Sequence, residues 1–218
     1  MSKTLTKISI VKYVTIYSAY LLIVWCFYRF LFQLPDNTTE LVVKPIIWLL
    51  PIIYILIKEK SNLTTLGISL KNIFPSIYFS IGLGSIFVAE GLLTNYLKYG
   101  HFNFGANIGP TPILPSLGLS FATAISEETA FRGYIFSRLS FVLKGEWGAN
   151  IIQTILWTAI HVPIAFFVWN YTVPQGIIYL FITAVFGMGS AFIFSRTKNI
   201  FGCIFLHVLW EWPIILFR

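Results

Sequence analysis

Apolar stretches of membrane-crossing length follow one another along this chain, at about residues 8–33, 41–57, 73–94, 113–138, 147–169, 174–195 and 200–217. Each approaches the ~20 residues that an α-helix needs to cross a hydrocarbon core. No other feature restricts the fold as much. In lipid every backbone N–H and C=O must be satisfied within the structure, which leaves helices as the natural spanning element for runs of this length. Composition enters only to support this: 57% of the 218 residues are apolar and 11% charged, against ~25% charged in a soluble domain. The chain is expected to be an all-α polytopic membrane protein with about seven transmembrane helices.

The first run ends in Phe-Tyr-Arg-Phe-Leu-Phe-Gln-Leu-Pro without a small-residue cleavage site, so a retained helix is expected rather than a signal peptide. The second is short and holds Pro45 and Pro51, which predicts a kinked, tilted or partly re-entrant helix. Basic residues alternate between connections. Lys3 and Lys7, then Lys58, Lys60 and Lys71, then Arg138 and Lys144, then Arg196 and Lys198 mark one side, while the intervening loops are poor in them. By the positive-inside rule the amino end is cytoplasmic and the carboxyl end outside, in a cell membrane expected to be bacterial or archaeal. The formal charge of +7 is spread singly between apolar runs, so no nucleic-acid partner is expected. Cys26 and Cys203 have no CxxC partner and read as core residues. One integral domain is expected, with residues 1–112 supplying the first three helices and 113–218 a helical core that carries the chemistry.

That chemistry is announced by charge in the wrong solvent. An ionisable group at the bilayer centre costs at least ~2.5 kcal/mol on insertion scales and is rare without a purpose. Here Glu90, Glu127, Glu128 and Glu211 fall within apolar runs, Glu146 falls near the end of one, and His161 and His207 join them. The fourth run reads Ala-Thr-Ala-Ile-Ser-Glu-Glu-Thr-Ala-Phe-Arg-Gly. Glu128 and Arg132 stand at i and i+4, in ion-pair reach on one helix face. Glu127 points about 100° away and has no partner on its own helix. Asn150, Gln153, Trp157 and His161 form one stripe on the fifth helix, and His207 and Glu211 share a face of the seventh. Helical rise brings Glu127, His161 and His207 to similar depths, which predicts a cavity in the cytoplasmic half of the bilayer.

Three motifs now stand in order: Glu-Glu-x-x-x-Arg-Gly (Glu127, Glu128, Arg132, Gly133), aromatic-x-x-x-His (Trp157, His161) and His-x-x-x-polar (His207, Glu211). Together they resemble the CAAX protease and bacteriocin-processing family of glutamic-type intramembrane endopeptidases, across residues 113–215. The resemblance implies a peptidase in which Glu127 is the general base on a water, His161 positions that water and His207 stabilises the oxyanion. Glu211 would assist if neutral, and Arg132 would fix Glu128. Two positions depart from the family: Trp157 stands where Phe is usual, and Glu211 where Asn is usual. An amide donates to an oxyanion and an ionised carboxylate does not.

The substrate implied is a membrane-associated protein or peptide, such as a CAAX protein, a bacteriocin leader or a sorting tail. Glu127, His161 and His207 are chemically able to hold Zn²⁺, but no His-Glu-x-x-His helix is present, so metal-free water activation is the preferred expectation. Two rival readings remain. A non-catalytic immunity or scaffold protein is favoured by Glu211, and a proton-coupled transporter by the buried Glu and His groups, although no inverted repeat is visible.

Overall fold

The computed structural model describes residues 6–32, 34–103 and 113–217, with side chains for 212–217 and 113 outside the description. Among the described residues every regular element is helical. The apolar stretches appear as a succession of helical rods. The first three are α1 (Lys7–Leu31), α2 (Asp36–Glu59) and α3 (Ile73–Tyr99). Next comes α4, built from Ile113–Glu128, a π-helical Thr129–Phe136 and Ser137–Leu143. The last three are α5 (Glu146–Val168), α6 (Val173–Thr197) and α7 (Ile200–Phe217). By length and composition five of them, α1, α2, α3, α5 and α6, can cross a membrane.

Local chemistry sets the ends. Thr6 caps α1, its hydroxyl accepting from the Ser9 amide at 3.3 Å, which satisfies one of the four unpartnered N–H groups of a helix start. Thr172 and Gln175 form a capping box on α6. Three helices, α2, α4 and α6, stop at a lysine (Lys60, Lys144, Lys198) held at φ 52°, a left-handed conformation that cannot extend the helix. The irregularity of α2 is a π-turn at Thr39–Val43, just before Lys44, while Pro45 and Pro51 lie within the α-helical Lys44–Glu59.

Packing is reversed relative to a soluble protein. Large apolar side chains such as Ile57 (69% exposed), Phe181 (68%) and Leu97 (73%) point outward, while the interior holds aromatic rings and hydrogen-bonded polar groups. Association of helices in lipid relies on close approach and interhelical hydrogen bonds, and both are visible between α3 and α7. A Cβ on Gly202 would lie 2.6 Å from the Ser76 Cβ, and Ser80 donates to the Gly202 carbonyl at 2.6 Å. Buried Asn199 donates to the carbonyls of Ser69 and Lys71 at 2.7 and 2.8 Å, locking the start of α7 to the α2–α3 connection. Near the far end of α2, Glu59 accepts from Arg138 Nε and Nη2 at 3.0 and 2.8 Å and from Tyr134 at 3.1 Å. This buried fork ties α2 to α4.

Candidate active site

The polar residues singled out in the sequence separate into two adjacent groups on α4. The first centres on Glu128. Its Oε1 accepts from Arg132 Nη1 at 3.0 Å and lies 2.8 Å from His207 Nδ1, and its Oε2 accepts from Ser190 at 2.7 Å. Arg132 also donates to the Gly187 carbonyl at 3.2 Å and lies over the Trp157 ring, 4.4 Å from its centroid. Arg132 and Glu128 have 0% side-chain exposure. The i,i+4 pair expected from the sequence is therefore present. Its reach is larger than expected, since the same carboxylate grips His207 on α7.

The second group centres on Glu127, which the sequence left without a partner on its own helix. Its Oε1 accepts from Lys44 Nζ at 2.6 Å. Its Oε2 is buried without a hydrogen-bond partner and lies 3.9 Å from His161 Nε2. Lys44 also pairs with Glu40 one turn earlier, and Glu40 accepts from Thr123 on α4 at 2.8 Å. The Lys44 ammonium sits 5.2 Å and 5.5 Å from the Trp25 and Trp48 ring centroids, so its apolar surroundings are aromatic faces that favour a cation. His161 Nδ1 lies 2.7 Å from the Trp157 carbonyl. That carbonyl can only accept, so Nδ1 carries a proton and the neutral ring presents a lone pair at Nε2.

The two groups meet at Trp157, whose ring lies 4.5 Å from that of His161 and 5.7 Å from that of His207. Phe186 packs against both His207 and Trp157, with ring centroids 5.0 and 5.8 Å away. Glu211, half-buried, has a buried Oε2 with no hydrogen-bond partner, and the charges of His207, Glu127 and Lys44 reach it. Thus Glu127, His161, His207 and Glu211 are brought to one place. Glu127 stands about midway along α4 and His161 about two-thirds along α5, so the cluster sits near mid-height of the bundle.

The stripe on α5 divides. Asn150 and Gln153 donate to the carbonyls of Met188 and Gly187 on α6, at 3.1 Å each, which makes them interhelical ties, and only Trp157 and His161 reach the cluster. Among the described residues no three His, Cys, Asp or Glu side chains are arranged to hold a metal ion. At Glu127 an ammonium already faces one carboxylate oxygen, and His207 Nδ1 is turned to Glu128. The residues that sequence reasoning missed are Lys44, Glu40 and Thr123. The available signal was Lys44 itself, a lysine inside the second apolar run.

A helical bundle with membrane-length apolar rods and a buried acid–base cluster between them has the build of a polytopic membrane protein. Residues 109–213 match the family described as Rce1-like: Type II CAAX prenyl endopeptidase Rce1-like. That part of the chain is similar to the Rce1-like family, and the resemblance carried by the three motifs is borne out. The family's description is that of a CAAX-type prenyl endopeptidase. No curated protein and no solved structure matches the chain.

Proposed function

We propose that the protein is an intramembrane endopeptidase in which Glu127 activates a water molecule. One observation carries the reading: Glu127 Oε2 and the His161 Nε2 lone pair face each other at 3.9 Å, both acceptors and neither with a hydrogen-bonded donor. Two acceptors at that separation suit a water that donates one O–H to each. Its lone pair is then left free for a carbonyl carbon.

The water oxygen forms the C–O bond as Glu127 takes the proton, and the carbonyl π electrons move to oxygen. His207, anchored through Nδ1 on Glu128, offers Nε2 in its protonated form to that oxyanion. Collapse of the tetrahedral species breaks the C–N bond, and Glu127 returns its proton to the departing amine. The products are a carboxylic acid, which keeps the second water proton until it ionises to solvent, and an amine, and the glutamate is regenerated. No step requires a metal.

The substrate proposed is a prenylated CAAX-type tail, or else a bacteriocin leader or sorting tail, held at the membrane. With the amino end cytoplasmic, Lys60, Lys144 and Lys198 lie on the cytoplasmic side. Hydrolysis of a farnesylated CAAX peptide by the protein in liposomes tests the reading. Glu127→Gln is expected to lose at least ~100-fold in kcat while still folding, since Lys44 keeps Glu40 as a charged partner. Wild-type turnover in that variant would rule the mechanism out.

A further inference from the structure

Lys44 lies outside the family-matched residues 109–213, yet it donates to Glu127 at 2.6 Å across 83 residues of sequence. Its surroundings are built rather than incidental. The ammonium is buried, it bridges Glu127 and Glu40, and Glu40 is itself held by Thr123 on α4. The π-turn Thr39–Val43 ends at Lys44, and insertions of this kind re-aim the residue that follows and recur at functional sites. An ammonium carries three donors and no acceptor, so it can occupy both carboxylates at once.

A carboxylate that is to act as a base needs one defined oxygen directed at its water. Lys44 occupies Oε1 and leaves Oε2 toward His161. We infer that Lys44, steadied by Glu40, is a positioning residue for the base. It holds Glu127 by one oxygen so that the other meets the water on the His161 side. The inference rests on the proposed role of Glu127, and it makes α2 a contributor to a site whose other members lie on α4, α5 and α7.

The test uses the full chain in liposomes with the same farnesylated fluorogenic CAAX peptide as probe. Lys44→Ala is expected to lower kcat about 100-fold with KM changed less than about 3-fold, because substrate contacts remain while the base is misaimed. Added methylammonium, which restores a small ammonium beside Glu127, is expected to recover at least about 10-fold of that loss, and to recover nothing in Glu127→Gln. Rescue of this kind would not follow from a merely structural role. Should Lys44→Ala fail to fold, Glu40→Gln serves, with kcat expected to fall several-fold at unchanged KM.

Wild-type kcat in a folded Lys44→Ala protein would overturn the inference. So would a loss that methylammonium leaves untouched, or, in the second variant, an unchanged kcat. In each of these cases an inactive Glu127→Gln leaves the role of the base standing. Active Glu127→Gln, or a wild type without activity, would remove both together.

Discussion

Arg132 shows what a single buried charge does here. It sits with Glu128 at 0% exposure, under the Trp157 ring, and Glu128 in turn fixes His207 and Ser190. Removing one member of a buried ion pair leaves the other uncompensated, at a cost of ~3–5 kcal/mol. Arg132→Met is therefore expected to lower thermal stability in detergent by that order and to abolish activity, whereas Glu127→Gln keeps the fold. A differential scanning measurement on the two variants separates the roles; equal stability of Arg132→Met and wild type would contradict this assignment. The sequence made this pair readable because i,i+4 spacing lies within one helix. It could not show that Glu128 also grips His207, 79 residues away. It could not show that Lys44 answers Glu127, because helix periodicity says which face a residue occupies but not which helix it meets. Besides Arg132, Glu128 holds Ser190 on α6 and His207 on α7, so one carboxylate ties three helices together.

Among elements, α7 depends on close approach to α3. Gly202 abuts Ser76, and Ser80 donates into the same contact. A bulky side chain must push the helices apart and carry His207 away from Glu128. Gly202→Leu is expected to destabilise the protein by ~1–3 kcal/mol, the usual cost of overpacking, and to reduce activity further than stability alone explains. Thermal unfolding together with kcat measures both. Wild-type values for both would show that the approach is not needed. The rods themselves were legible from run length, since ~20 apolar residues leave little alternative to a helix in lipid. The π-helical stretches after Glu128 and before Lys44 were not. An inserted residue leaves no mark on an apolar pattern, and both insertions fall beside site residues, where tertiary contacts dictate the backbone.

At the scale of the whole molecule, the site joins parts of the chain that composition alone would not connect. The three motifs occupy α4, α5 and α7, while Lys44 and Glu40 come from α2, and the Glu59–Arg138 fork braces α2 against α4 from the other end. Loss of that fork by Arg138→Ala is expected to leave Glu59 buried and unpaired, lowering stability by ~3–5 kcal/mol. Unfolding in detergent would reveal it. The proposed orientation has its own test, in which single cysteines at Lys60 and Lys198 label from the cytoplasmic side and one at Asn170 from the outside; the reverse pattern would invert the topology. The central claim is that Glu127 activates water to cut peptide bonds in membrane-associated substrates. Profiling the termini of membrane proteins in cells carrying the wild type or Glu127→Gln measures this without prior choice of substrate. New carboxyl termini present with the wild type and missing with Glu127→Gln, at equal protein levels, are the predicted result. Indistinguishable termini profiles would contradict the account.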